Sequence, residues 1–258
     1  MQIHVLASGS SGNATLFKFD DTNILVDAGI SARRIKNALA EVGTAVEDLD
    51  GILITHEHSD HISGLPTLVK KYRLPIYARP ETWRKMSSCR QFAPECCRNF
   101  YQSMDFGAVK VESFNTSHDA ADPVGYTFYE KDRKYSLATD LGFVTDGVKK
   151  ALTGSDGMVL ETNHDLDMLR NGTYPWHLKR RILSNRGHLS NVEAGRTLAN
   201  LELGEHCQVF LAHISKENNR RELAENTVAQ ILRDQGLEIG ADITLHVTLP
   251  DAIVSWKE

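Results

Sequence analysis

Short apolar runs punctuated by polar turns dominate the first third of the chain. Ile3-His4-Val5-Leu6, Ile24-Leu25-Val26-Asp27, Gly51-Ile52-Leu53-Ile54 and Pro75-Ile76-Tyr77-Ala78 are rich in β-branched residues and predict buried strands. Ala14 to Phe19 predicts the return strand of a hairpin. Then the period changes: Ile62, Leu65, Leu68, Val69 and Tyr72 recur at helical spacing. Towards the other end, Arg220 to Leu237 predicts an amphipathic helix with Leu223, Val228, Ile231 and Leu232 on one side. Ile243 to Val247 is expected as the last strand, with Ile253 and Val254 packing after it. Pro80 to Asp105 is the least regular stretch and is expected to form a helix and a surface loop. Strands alternating with helices indicate an α/β protein. No linker or repeat divides the 258 residues, so one domain over 1–258 is expected.

One apolar run leads directly into chemistry. After Ile54 the chain reads Thr-His-Glu-His-Ser-Asp-His over residues 55–61. Neutral imidazole and carboxylate are the usual protein ligands for zinc and its first-row neighbours. In an extended segment His56 and His58 point the same way, and Asp60 and His61 follow where the chain must turn. One metal can take the His pair and a second the Asp-His pair. A polar turn that is merely His-rich is the plainer reading, but three His and one Asp at this spacing favour metal. The motif lies between a strand and a helix at a sheet edge, where open α/β folds put their sites.

Composition changes the picture only in part. At 41% hydrophobic the chain can fill a core, yet no run approaches the about 18–20 apolar residues of a membrane span. A strand-like start without a basic leader points to the cytoplasm. Cys89, Cys96, Cys97 and Cys207 lack paired zinc spacing and are expected as free thiols. The loop Ala7-Ser8-Gly9-Ser10-Ser11-Gly12-Asn13 lacks the Lys of a phosphate-binding P-loop and is expected as a tight structural turn. A net charge of −5 does not advertise a nucleic-acid binder. Locally, however, His177-Leu178-Lys179-Arg180-Arg181 and Arg186 bring cations towards His188 with no acid among them. Such a patch can hold phosphates, and a solvated helix face is the equal alternative.

Residues 55–61 resemble the His-x-His-x-Asp-His signature of the metallo-β-lactamase superfamily. The resemblance implies a four-layer αββα sandwich binding one or two metals at its rim. It also implies further ligands: His118 in Asn-Thr-Ser-His, Asp140 in Leu-Ala-Thr-Asp and His213 in Phe-Leu-Ala-His-Ile-Ser. By carry-over, His56, His58 and His118 hold one ion, Asp60, His61 and His213 hold the other, and Asp140 bridges them. Each of these later residues follows or lies within an apolar stretch that could end at the same sheet edge. Asp27 matches the acidic residue that ends an early strand, and is expected to orient a ligand or cap the following turn rather than bind metal directly. Zn or Mn suits these donors, with Fe possible.

Val159-Leu160-Glu161-Thr162 and Gly187-His188-Leu189-Ser190 resemble elements of the ribonuclease Z-like branch, where a Glu orients a His that reaches the scissile phosphate. Leu189 and the Asn163-His164-Asp165 extension depart from that branch. Segments 6–13, 55–64, 161–165 and 187–191 together resemble more closely the YycJ/WalJ group of bacterial metal-dependent nucleases. That resemblance implies a dinuclear phosphodiesterase, a 5′-to-3′ DNA exonuclease with a metal-bridging hydroxide as nucleophile. Asp60, His188 and Glu161 would be catalytic, and Asn163, His164, Lys179, Arg180, Arg181 and Arg186 would contact substrate. DNA and DNA-repair proteins are the implied partners, without a membrane. An RNA-processing ribonuclease Z-like enzyme, a thioester or lactone hydrolase and a non-catalytic metal-binding adaptor are the alternatives. A true β-lactamase is disfavoured, because no Cys follows the third-histidine segment.

Overall fold

A computed structural model describes residues 1–258. Fourteen strands form two seven-stranded sheets. The first contains β1 (Gln2–Ala7), β2 (Ala14–Lys18), β3 (Asn23–Val26), β4 (Gly51–Leu53), β5 (Ile76–Ala78), β6 (Cys97–Asn99) and β14 (Val254–Lys257), in the order β14-β1-β2-β3-β4-β5-β6. The second contains β7 (Ser103–Phe106), β8 (Val109–Asn115), β9 (Val124–Glu130), β10 (Arg133–Ala138), β11 (Gly157–Glu161), β12 (Cys207–Ala212) and β13 (Ile243–Val247), in the order β13-β12-β11-β10-β9-β8-β7.

The chain divides into two compact units. One comprises residues 1–113, 120–123 and 249–258; the other comprises 114–119 and 124–248. In the first, β14, β1, β2 and β3 pair antiparallel, and from β3 onwards the neighbours β4, β5 and β6 are parallel. Parallel neighbours need crossovers. These are α1 (Ala32–Glu41), the pair α2 (Ser59–Ile62) and α3 (Leu65–Tyr72), and α4 (Pro80–Lys85). Ile35, Leu39, Leu65 and Leu68 from the helices bury against Leu16, Leu25, Ile52 and Ile76 from the strands.

The second unit repeats the plan. β9 and β10 are antiparallel, and β10, β11, β12 and β13 are parallel. Its crossovers are α5 (Asp146–Leu152), the group α6 (Leu166–Asn171), α7 (Trp176–Ile182) and α8 (Asn191–Ala199), and α9 (Arg221–Asp234). Leu160, Val209 and Leu211 bury against Ala194, Leu198, Val228 and Leu232. So β3 and β10 occupy the same place, each the strand at which antiparallel pairing gives way to parallel.

Four expectations are revised. Val254 does not simply pack after the last strand: it begins β14, which pairs with β1 through Gln2↔Lys257 and Val5↔Val254. The helical run after the His motif is two helices, broken where a Cβ on Gly64 would lie 2.2 Å from the Ile30 carbonyl. On α9 the buried face is Ala224, Val228, Ala229 and Leu232, while Leu223 and Ile231 are half-buried. There Ile231 lies over Gly195 of α8, where an added Cβ would be 2.8 Å from its side chain. The irregular stretch after Pro80 also yields β6, a three-residue edge strand with no apolar signature of its own.

Candidate metal centre

Strand ends carry the chemistry in both units. In the first, β3 gives way to Asp27, whose φ of 61° lies in the left-handed region. Its carboxylate accepts from the Thr55 N–H at 2.9 Å and the Thr55 hydroxyl at 2.9 Å, and lies 2.7 Å from His61 Nδ1. Thr55 Oγ1 also lies 3.0 Å from His56 Nδ1. The rings of His56 and His58 are 4.6 Å apart and those of His56 and His61 are 4.1 Å apart. His58 stands at the N-cap position of α2, which carries Asp60 and His61, and His61 Nε2 lies 3.5 Å from Asp60 Oδ2.

The Gly/Ser loop braces this motif. Asn13 donates its backbone N–H to the Asp60 carbonyl at 2.8 Å, and its amide nitrogen lies 3.2 Å from His61 Nε2. Gly29 donates to the Asn13 carbonyl at 2.8 Å. A Cβ on Gly29 would sit 1.7 Å from the Asp60 carbonyl oxygen, so only glycine admits this approach.

In the second unit Asp140 follows β10 with φ 57°, and His213 follows β12 with φ 54°. Asp140 Oδ1 lies 3.6 Å from His118 Nε2, 3.7 Å from His188 Nδ1 and 3.5 Å from His213 Nδ1. The last residue of β11, Glu161, is fully buried and serves five donors. Oε1 accepts from Asp140 N–H at 3.2 Å and lies 3.0 Å from His188 Nδ1 and 2.7 Å from His213 Nδ1. Oε2 accepts from the N–H groups of Leu141 at 3.1 Å and Leu189 at 2.8 Å. Burial alone would raise the Glu161 pKa, but His188 and His213 outweigh it and hold the carboxyl at about 2. Asp140, Glu161, His188 and His213 offer ligand atoms all within 4.8 Å of one another.

The donor set fits a metal. A ligating imidazole almost always donates its second ring N–H to a carboxylate, carbonyl or similar acceptor. Here His61 Nδ1 faces Asp27, His56 Nδ1 faces Thr55, His213 Nδ1 faces Glu161 and His118 Nδ1 faces the Gly187 carbonyl at 3.1 Å. Each arrangement engages Nδ1 and so makes Nε2 the ring nitrogen suited to ligate an ion. Burial pushes His118 below the ordinary imidazole range, against the pull of Asp140, which keeps it in the neutral form that ligates.

The substrate-contact set of the sequence is corrected in several places. Lys179 is buried and donates its Nζ protons to the carbonyls of Arg170 at 2.8 Å and Gly172 at 2.7 Å, so it fastens α7 to the end of α6. Arg181 does meet an acid, Asp119, through Nε at 2.6 Å and an Nη at 3.0 Å. Arg186 donates to the His118 carbonyl at 3.3 and 3.2 Å. Asn163 is buried and donates to the His213 carbonyl at 2.7 Å, which makes it a brace. His164 is also buried, and burial pulls its pKa down to about 4. Arg180 alone of α7's three cations is exposed and tied to no acid named above. His188 does not cap α8; Ser190 does, accepting from the Glu193 N–H. Sequence reasoning missed Asn13 and Asn219, whose amide donates to the Thr162 and Asn163 carbonyls at 3.1 and 3.0 Å. The segment 6–13 resemblance marked Asn13; nothing marked Asn219.

Residues 22–214 match the model of the β-lactamase superfamily domain. The chain is 42% identical to exodeoxyribonuclease YycJ of Bacillus anthracis, with 97% of this chain and 96% of that one covered. It is 40% identical to exodeoxyribonuclease WalJ of Streptococcus pneumoniae, with 98% and 96% covered. Among solved structures, the metallo-β-lactamase fold protein YhfI of Bacillus subtilis superposes with a TM-score of 0.74 over 99% of both chains at 15% identity. The chain thus belongs to the metallo-β-lactamase superfamily and, within it, to the family of the YycJ and WalJ exodeoxyribonucleases. It is a hydrolase of the metallo-β-lactamase fold.

Proposed function

We propose that this protein is a dinuclear 5′-to-3′ DNA exonuclease built as one metallo-β-lactamase-like domain over residues 1–258. His56, His58 and His118 hold one divalent ion, Asp60, His61 and His213 hold the second, and Asp140 serves both. Zn and Mn fit this donor set, and Fe is tolerated. When bound, two such ions lower the pKa of a water and clamp the phosphoryl group.

The observation that carries the reading is the Glu161–His188 pair, 3.0 Å apart, beside Asp140. A thioester or lactone hydrolase has no need of it. Cleaving a DNA strand breaks a P–O bond and leaves an alkoxide, a poor leaving group unless it gains a proton. With Nδ1 held by Glu161, His188 turns its Nε2 proton outwards, and its side chain keeps 16% exposure. It therefore protonates the departing oxygen, help typically worth about 10²–10⁴-fold. Asp27 and Asn163 act through others, holding the His61 ring and the His213 backbone. A DNA substrate accords with the relatives' names; a cytoplasmic location and DNA-repair proteins as partners are part of the same proposal. No helix is long and apolar enough to cross a membrane.

The test is degradation of end-labelled single- and double-stranded DNA and RNA with Mn²⁺, Zn²⁺ or EDTA. Metal-dependent loss of DNA from the 5′ end is expected, and Asp140→Ala should abolish it. His188→Ala should cut turnover on DNA far more than on bis-p-nitrophenyl phosphate, whose leaving group needs no proton. No DNA cleavage with any metal, or cleavage of RNA alone, overturns the reading.

A further inference from the structure

Few large hydrophobic side chains stand exposed, and three gather around one segment of the second unit. Trp176 is 64% exposed at the start of α7, and Leu183 is 38% exposed at its C-cap. Phe143 is 43% exposed. Its neighbour Gly142 packs on the backbone of Asn185 and Arg186, where a Cβ would lie 2.4–2.6 Å away. Positions 176, 180 and 183 are spaced i, i+4, i+7 and share one face of the helix. That face therefore reads Trp176, Arg180, Leu183. Lys179 and Ile182 are turned inwards and anchor it.

The same segment is cationic, with Lys179 engaged by carbonyls and Arg181 by Asp119. From Met168 to Val192 there is no Asp or Glu, while Arg170, Lys179, Arg180, Arg181 and Arg186 fall within it. This stands out in a protein of net charge −5. The segment also delivers His188: its backbone N–H donates to the carbonyl of Ile182, the last residue of α7, at 3.1 Å. Trp176 stands six residues earlier on that helix, about 9 Å along its axis, or some two to three stacked nucleotides at roughly 3.4 Å each.

Surfaces that hold single strands without reading sequence combine aromatic rings, on which bases stack, with cations that track the backbone. A protein partner would account for the exposed Trp and Leu. It would not account for the missing acids, or for the direct connection to the residue that faces the scissile phosphate. We propose that the Trp176–Arg180–Leu183 face of α7 is a stacking platform for the bases of single-stranded DNA held with a phosphate at His188. Phe143 flanks it, and Arg180 meets the backbone. This rests on the nuclease reading above.

The experiment measures binding of the metal-loaded protein to two nuclease-resistant phosphorothioate strands of equal length, oligothymidylate and its abasic counterpart. Stacking is worth about 1–3 kcal/mol per base, so Trp176→Ala should weaken binding to oligothymidylate roughly 5- to 150-fold. It should leave binding to the abasic strand unchanged, and Trp176→Phe should restore most of the loss. Arg180→Ala should weaken both strands and lower the salt slope by about one. Thermal unfolding of each variant checks that α7 is intact. If Trp176→Ala binds both strands as the parent does, the platform is refuted while the nuclease reading survives. Equal losses on both strands, or a change confined to self-association, would make the face a structural or protein contact and refute it too. A parent that binds neither strand removes the nuclease reading itself.

Discussion

Replacing Glu161 with Gln changes one atom in a side chain that serves five donors, and its cost can be worked from the contacts. The carboxylate faces five N–H donors and no acceptor is needed. An amide must turn its NH2 to one side or the other. Turned towards Leu141 and Leu189, it strands two buried backbone donors. At about 1–3 kcal/mol each, that is roughly 2–6 kcal/mol. Turned towards Asp140, His188 and His213, it strands only the Asp140 N–H. It then forces both imidazoles into the other tautomer, which places a proton on His213 Nε2. The variant therefore loses either stability or a metal-binding lone pair. Urea unfolding of the chelated protein and titration with Zn²⁺ separate the two: at least 2 kcal/mol of stability, or about 10–100-fold in metal affinity, should disappear. A variant within about 1 kcal/mol of the parent that also binds metal equally would refute the assignment of Glu161 as the shared acceptor.

Gly29→Ala should collapse metal binding, because a methyl group 1.7 Å from the Asp60 carbonyl must push the ligand segment away; equal metal content in parent and variant would count against this packing. Lys179→Met should cost about 1–3 kcal/mol in urea unfolding by leaving the Arg170 and Gly172 carbonyls without their donor, with little change in the salt slope of DNA binding. A variant of parental stability with a shallower slope would return Lys179 to the phosphate contacts. His4, in β1 opposite Ser255 of β14, is lowered to about 4 by burial and then by Lys257 and Lys18. A depressed pKa means that the unfolded chain takes the proton first. Its contribution is full above about 6.5 and drains away as pH falls towards 4. His4→Gln should flatten the unfolding midpoint over that window; parallel curves for parent and variant would rule the contribution out.

Much of the candidate site was legible because its residues lie where apolar runs stop. Thr55 to His61 announced itself by composition, Asp27 follows the β-branched run Ile24-Leu25-Val26, and Asp140 and His213 follow the apolar strand ends Leu137-Ala138 and Phe210-Leu211-Ala212. Distance in sequence hid the rest. Lys179 looked like surface because its partners are carbonyls at the end of another helix, and carbonyls have no sequence signature. Arg181 seemed free of acids because Asp119 lies 62 residues away. Glu161 was legible as a partner of His188 but not of His213, since sharing one oxygen between two rings is a property of packed strand ends. The β6 edge strand, Cys-Arg-Asn, is held by its parallel neighbour and carries no pattern to read.

The left-handed backbone at Asp27, Asp140 and His213 bears on how this protein can be altered. Each such residue typically costs on the order of 1–3 kcal/mol, a cost glycine would largely escape. Selection for heat resistance alone would therefore drift towards glycine at positions 140 and 213, whereas at 27 the Thr55 donors left without their acceptor would offset the gain. A thermostabilised descendant, obtained without an activity screen, is expected to lose Asp140 and His213, the two proposed to hold metal, before it loses any part of its core.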